Sequence, residues 1–360
     1  MIISRTPFRI SFFGGGTDYP RWYLQHGGQV LATTINKYCY ITCRSRPPFM
    51  EHRIRLAYSR IENCQSPAEI SHPVIRAVLE FLELDQGLEI HHDADLPGRS
   101  GMGSSSSFTV GLLQALHALR GEMVSKRQLT EESIHVEQRL VKETVGSQDQ
   151  TLAAYGGMQN VVFQEDGKIV VRPITISRER REELNRHLML FYTGIKRTAS
   201  DVAASYVESL EEKAAALERM TRMVDEGRAI LCGGGDLLDF GGLLDEAWQR
   251  KRGLSKLATN SRVDAIYAEA RAAGALGGKL SGAGGGGFML LFAPPERRAG
   301  VISRLARLLH VPFTFESSGS QIIFYDPDVD YREEERTRSR QNLEAFEELS
   351  RIHAGEEVES

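Results

Sequence analysis

Apolar and polar positions alternate almost from the start of the chain. Phe8, Ile10 and Phe12 flank Arg9 and Ser11, the period of a half-buried strand. Residues 29–35 and 38–43, rich in β-branched and aromatic side chains, predict two more strands, and Ile54, Leu56 and Tyr58 share one face of another. The period then lengthens. Ile75, Val78, Leu79 and Leu82 make a helical stripe beginning near Ser71, followed by a short strand at 88–92. Phe108, Leu112, Ala115, Leu116 and Leu119 mark the buried side of a second helix, and a third is predicted over 126–142. Strands at 158–163 and 168–173 close this half.

Beyond it, Ser200 can cap a long helix whose stripe runs through Val202, Tyr206, Leu210, Leu217, Met220 and Val224. Leu244, Trp248, Leu254 and Leu257 belong to the next helix, and Val263, Ile266, Tyr267 and Ala270 to the one after. An apolar strand at 288–292, a helix through Val301, Leu305 and Leu308, and strands near Phe313 and Ile322 complete the pattern. Helices interleaved with short strands predict an α+β fold. The 360 residues fit two domains. The expected spans are 1–180 and 181–330, with the charged stretch ISRERREEL near their junction. The Glu- and Arg-rich tail, 331–360, is assigned no chemistry.

Composition narrows the classes. With 41% hydrophobic and 26% charged residues, a packed soluble core is expected. A net charge of -4 gives no support to nucleic-acid or anionic-membrane partners. Pro7 and Arg9 interrupt the N-terminal apolar residues, so no signal peptide is read there. No run reaches the roughly 18 apolar residues of a membrane span, and a cytoplasmic location is expected. Cys39, Cys43, Cys64 and Cys232 form no Cys-x-x-Cys pair and read as buried, reduced thiols.

Three glycine-rich segments carry the candidate chemistry. Gly14-Gly15-Gly16-Thr17-Asp18 follows the first strand. Leu96-Pro97-Gly98-Arg99-Ser100-Gly101-Met102-Gly103, followed by Ser104, Ser105, Ser106 and Ser107, opens a helix. Its glycines allow close backbone approach, and free N–H groups at the helix start favour an anion. The third, Lys279-Leu280-Ser281-Gly282-Ala283-Gly284 and three further glycines, precedes a strand. A Walker loop is excluded, because Gly167-Lys168 and Gly278-Lys279 are followed by Ile and Leu rather than Ser or Thr. Gly282-x-Gly284-x-x-Gly287 matches the dinucleotide pattern but leads into FMLLF, a strand where that pattern requires a helix.

In order and spacing, PFRISFFGGGTDY, LPGRSGMGSSSS and KLSGAGGGG resemble the three motifs of the GHMP kinases, with Met102 where that family usually has Leu. The resemblance spans roughly residues 1 to 325. It implies an N-terminal α/β domain, a C-terminal ferredoxin-like α+β domain and an active site in the cleft between them, with ATP and Mg²⁺ as cofactors. Within the family, VGSQDQTLAAYGGMQNVVF and FYTGIKRTASDV resemble the sugar 1-kinase branch.

The resemblance assigns roles. Pro97, Gly98, Gly101, Met102, Gly103 and Ser104 to Ser107 would wrap the ATP phosphates. Asp149 would accept the proton of the attacking hydroxyl, and Arg9 would hold Asp149 ionised and stabilise the transferring phosphoryl group. Glu137 and Ser105 would ligate Mg²⁺, with Glu131, Glu132 and Glu143 as nearby alternatives. Gly15, Gly16, Thr17, Asp18, Gly282, Ala283 and Gly284 would line the substrate site. Gly15 and Gly16 stand where galactokinases carry Glu and His, which opens space for a larger sugar and argues against galactose. Lys196 and Arg197 are the cations expected to hold a phosphate on that sugar, ahead of Arg21, Lys37 and Arg99. The expected partner is therefore a small sugar or sugar phosphate, a phosphorylated heptose by preference and a fucose-type hexose as the alternative. Whether the chain forms a homodimer stays open. A non-catalytic sugar sensor is the alternative from another class, and the retention of Asp149, Arg9 and Glu137 speaks against it.

Overall fold

The computed structural model describes residues 1–195, 199–207, 210–327, 331–338 and 340. The opening alternation becomes one long strand, β1 (Ile2–Phe13), antiparallel to β2 (Gly28–Ser45). The stretches expected as two strands at 29–35 and 38–43 are continuous. Their separation in the pattern comes from a slip in the ladder, where Pro7 faces Tyr38 but Phe8 faces Ile35. Proline has no N–H for a ladder and sits at such bulges. The displaced Asn36 donates its N–H to Thr314 O at 3.0 Å.

The bulge divides β2 between two sets of neighbours. Residues 39–45 pair with β5 (Leu88–Ala94), which carries β3 (Ile54–Ala57) and β4 (Ile61–Cys64) beyond it. Residues 28–33 pair with β6 (Met158–Phe163), followed by β7 (Ile169–Pro173). A second sheet has the order β11-β8-β10-β9, formed by β8 (Leu188–Tyr192), β9 (Gly277–Leu280), β10 (Phe288–Phe292) and β11 (Leu309–His310). The architecture is α+β, as the pattern predicts.

The chain then returns. β12 (Phe315–Glu316) pairs with β2, and β13 (Gln321–Tyr325) pairs with β1. The span 181–330, expected as one domain, thus contributes to both sheets. The pairing satisfies the edge of β1 that β2 leaves open.

Several helices differ from their periodic patterns. The helix expected over 126–142 is α-helical over Lys126–His135 and finishes as a π turn, Val136–Leu140, with Val141 N–H on Val136 O. The long helix expected after Ser200 is broken into Ala199–Val207 and Ala214–Cys232 by a 3₁₀ turn, Glu211–Lys213, so Ser200 lies inside the first piece rather than ahead of it. The stretch ISRERREEL is largely a helix, Arg178–His187, capped by Ser177. The helix Leu237–Arg252 stops before Leu254 and Leu257, and that at 301–308 is Arg298–Arg304. Pro20–His26 and Gln148–Tyr155 are too short to have shown a stripe. Cys39, Cys43 and Cys64 are buried as expected, but Cys232 is exposed, because it ends its helix. Among the described residues no helix is long and apolar enough to cross a membrane.

Aromatic packing ties the first strand to the second sheet. Phe12 and Phe13 meet Phe240 edge-on at ring separations of 5.3 and 4.9 Å, and Phe240 in turn meets Phe292 of β10 at 6.2 Å. All four rings are buried. Phe240→Ala is expected to lower unfolding stability by about 3–5 kcal/mol. Urea denaturation checks it, and a loss below about 1 kcal/mol would contradict the bridging role.

Candidate active site

A cavity of about 220 Å³ opens where the three glycine-rich segments meet. The element behind it is the end of β1. Arg9 is only 3% exposed although its neighbours Phe8 and Ile10 point into the core. Its alternation does turn it away from their face, but that side is covered by the second glycine loop and the helix Gln148–Tyr155. Arg9 Nε donates to Asp149 Oδ1 and Nη2 to Asp149 Oδ2, both at 2.7 Å, while Nη1 donates to Gly101 O at 2.7 Å. This two-pronged contact is the strongest geometry a guanidinium and a carboxylate can make. Asp149, expected in a loop, stands in the first turn of its helix, where the helix dipole favours negative charge.

Asp18 faces the same space and is fully buried. Gly16 N–H and Gln148 Nε2 donate to its two carboxylate oxygens at 2.9 Å each. Burial pushes its pKa up, opposed by the Gly16 hydrogen bond, and the charge of Asp149 pushes the same way as burial. Gly146 makes this packing possible, since a Cβ there would lie 1.8 Å from Asp18 Oδ2. Gly15 and Gly16 both line the cavity. At Gly15 a Cβ would stand in ordinary van der Waals contact with Ser11 Oγ at 3.6 Å and Gln148 Nε2 at 3.7 Å, so a Cβ fits there without a clash. Gly16 has φ +110°, so there glycine is required by the backbone as well. Thr17 points away. Its hydroxyl donates to Gly14 O and accepts from Gln29 N–H, which fixes the turn rather than a ligand.

The second glycine loop divides in the same manner. Gly101, Gly103, Ser104, Ser105 and Ser106 line the cavity. Gly101 and Gly103 have φ +80° and +77°, and Gly103 is the N-cap of the helix Ser104–Leu119. That helix starts at the cavity wall, which suits a phosphate. Pro97 and Gly98 are exposed outside the cavity, Met102 is buried in the core, and Ser107 donates to Pro7 O at 3.0 Å. Met102 and Ser107 support the loop from behind.

Glu137 lies behind the cavity, not on its wall. The π turn carries it inward, and it accepts from Ser106 Oγ at 2.9 Å, Thr109 Oγ1 at 2.7 Å and Gln150 Nε2. The partner expected for it, Ser105, is exposed, and Ser106 takes that place because it is one residue further around the helix. Burial pushes the Glu137 carboxyl up to about 7 against the pull of its three donors. Glu143, an alternative, does line the cavity; burial raises its pKa and Arg99 opposes this. The oxygens of Ser105, Ser106 and Glu137 are the hard donor set that Mg²⁺ takes. A cation at Ser106 would have the Glu137 carboxylate directly behind it.

The third glycine segment closes the other wall through Gly282 and Ala283, whereas Gly284 packs on Ala258. It touches the second loop so tightly that a Cβ on Gly101 would lie 2.4 Å from Ser281 O. Of the cations expected to hold a phosphate, Arg99 lines the cavity, Arg21 and Lys37 do not, and Lys196 and Arg197 lie outside the described residues. Sequence reasoning missed Lys251, gave Lys279 no role of its own, and missed Gln148. Lys251 and Lys279 are 8% and 4% exposed and line the cavity. Lys279 sits in the recognised motif, but Lys251 lies between Arg250 and Arg252, in a basic run that reads as ordinary charge at a helix end.

The carboxyl of Glu137 has a higher pKa folded than its ordinary 4.5, so its contribution to stability is complete below that pH and is lost as pH rises through about 7. In chelator, Glu137→Gln is expected to lose less stability than wild type between pH 5 and 8, by about 1–3 kcal/mol. Denaturant titrations at the two pH values measure the difference. Equal losses would contradict the buried, proton-holding carboxyl.

Comparison with known proteins agrees with this cleft. Residues 72–157 match the N-terminal domain of GHMP kinases, and residues 209–310 match the GHMP kinase C-terminal domain. The chain is 27% identical to a D-glycero-alpha-D-manno-heptose 7-phosphate kinase of Campylobacter jejuni, over 85% of this chain and 93% of that protein. It is 26% identical to a bifunctional fucokinase/GDP-fucose pyrophosphorylase of Arabidopsis thaliana, over 81% of this chain but only 30% of that longer one. Among solved structures, a D-glycero-D-manno-heptose 1-phosphate kinase from Bacteriodes thetaiotaomicron shares the fold, with a TM-score of 0.74 and 23% identity over 90% of this chain and 99% of that one. With both halves of the family matched around a cleft that gathers its three motifs, this chain belongs to the GHMP kinases and is a phosphotransferase.

Proposed function

We propose that the chain transfers the γ-phosphoryl group of ATP to the anomeric hydroxyl of D-glycero-D-manno-heptose 7-phosphate, giving the 1,7-bisphosphate. The observation that carries this reading is the placement of the Arg9–Asp149 pair between the Gly101–Ser106 wall and Asp18. Asp149 Oδ atoms face the cavity with the carboxylate held in orientation by Arg9, ready to accept the hydroxyl proton. The N–H groups at the start of the helix Ser104–Leu119 bind the nucleotide phosphates. Ser105, Ser106 and Glu137 would hold Mg²⁺, which when bound neutralises charge on those phosphates.

Asp18 and Gln148 read sugar hydroxyls. Ser11 Oγ and Gln148 Oε1, beside the cavity, have no hydrogen-bond partner among the described residues, as expected of groups that await a polar ligand. The heptose 7-phosphate preference rests on the Campylobacter relative and on Gly15 and Gly16, which put no side chain into the cavity they line. Lys196 and Arg197 are proposed to hold the 7-phosphate. The fucokinase relative favours a second reading, in which the acceptor is a neutral hexose.

Coupled ADP release with a panel of sugars separates them. Heptose 7-phosphate is expected to be the preferred acceptor, and equal turnover of free hexoses with none on heptose 7-phosphate would overturn the reading. Asp149→Asn is expected to lower kcat by about 10²–10⁴-fold with nucleotide binding retained. Replacing both Lys196 and Arg197 by Ala is expected to raise KM for the phosphorylated acceptor at least about tenfold, the worth of a charge-assisted contact. An unchanged KM would favour a neutral sugar.

A further inference from the structure

The cavity contains a cation that the roles above leave unused. Lys251, near the end of the helix Leu237–Arg252, reaches through the protein to the third glycine segment, where Nζ donates to Leu280 O at 3.2 Å and to Gly282 O. An ammonium has three N–H donors. Two are spent on these carbonyls, and the third has no partner among the described residues while the side chain lines the cavity. The charged groups facing Lys251 are Arg9 from β1, Asp18 from the first glycine segment, Asp149 from the helix Gln148–Tyr155 and Lys279 from β9. It therefore stands at the reacting end of the cleft, next to the acceptor carboxylates.

Arg9 is poorly placed to act alone on the phosphoryl group. Three of its five N–H donors are committed to Asp149 and Gly101. Lys279 donates to Phe12 O at 2.9 Å, and burial, with the charges of Lys251 and Arg9 adding to it, pulls its pKa well below the ordinary lysine value. We infer that Lys251 is a catalytic residue, whose free N–H donates to an equatorial oxygen of the phosphoryl group in flight. The inference rests on the kinase reading. In the step, the attacking hydroxyl oxygen bonds to the γ-phosphorus as the bond to the β,γ-bridging oxygen breaks, and that electron pair leaves with ADP. The hydroxyl proton passes to Asp149. Lys251 stays an ammonium throughout and lowers the energy of the charge spread over the equatorial oxygens.

A cation that is buried without a bound anion is costly, and burial pulls Lys251 down to about 7, with Arg9 pushing the same way. The ammonium form is present below that pH and is lost above it. In the free enzyme, kcat/KM is therefore expected to fall on the alkaline side of neutrality.

The test is Lys251→Ala, assayed for acceptor-dependent ADP release with and without added methylammonium. The variant is expected to lose about 10²–10³-fold in kcat with KM for the acceptor within about threefold of wild type. Methylammonium is expected to restore activity, and to do so best at pH values where it is charged. Lys251→Met, which keeps the side-chain volume, is expected to show the same loss and no alkaline limb near neutrality. Nucleotide affinity measured by calorimetry shows that each variant is folded. Full activity in Lys251→Met, or a raised KM with unchanged kcat, would overturn the inference. So would a kcat loss that methylammonium leaves untouched in a variant that still binds ATP, since that marks Lys251 as a brace for the third segment. Absence of acceptor-dependent turnover in wild type would instead overturn the kinase reading itself.

Discussion

The cleft is organised around one ion pair. Arg9 grips both oxygens of Asp149 and the carbonyl of Gly101, so a single guanidinium joins the first strand, the phosphate loop and the helix Gln148–Tyr155. Arg9 is buried and Asp149 partly so, and removing the carboxylate would leave the buried guanidinium uncompensated, which costs more than the pair contributes as a whole. The surrounding glycines follow from it. Gly103 must let Asp149 and Arg9 approach, since a Cβ there would lie 3.3 Å from Arg9 Cγ and 3.4 Å from Asp149 Oδ2. Gly146 leaves room for Asp18, and Gly101 for the third segment. The glycine richness of the three loops is therefore a packing requirement as much as a means of cradling phosphate.

Charge is arranged in two layers. Arg9, Asp18, Asp149, Lys251 and Lys279 line the cavity, while Glu137 stands deeper. Burial drives Asp18 and Glu137 toward their neutral acids and Lys251 and Lys279 toward their neutral amines. Desolvation therefore opposes the charged forms of these four groups. A bound phosphate and its metal reverse that balance, because each offers the missing counter-charge.

Much of this was legible in the sequence, for a physical reason. The glycine segments are constrained by backbone conformation and leave a local signature, whereas Arg9, Asp18 and Asp149 are picked out through their places in motifs that resemble the family's. The Pro7 bulge, by contrast, split one strand into two in the pattern, since periodicity is interrupted when extra residues enter a ladder. The partner of Glu137 was displaced from Ser105 to Ser106, because helix rotation, not order along the chain, decides which hydroxyl faces inward. Thr17, Met102 and Ser107 share motifs with cavity residues yet point elsewhere, since successive residues of a turn or helix face different sides. Lys251 was invisible. Its importance arises only when a helix from the second half is laid against a loop some thirty residues later.

The central claim is that this cleft delivers phosphate to an anomeric oxygen. Phosphorus-31 NMR of the products formed from heptose 7-phosphate and ATP tests it most directly. The account predicts a new phosphomonoester resonance coupled to the anomeric proton, appearing in step with ADP. Phosphate on any other hydroxyl, or ADP formed without a new sugar phosphate, would contradict it.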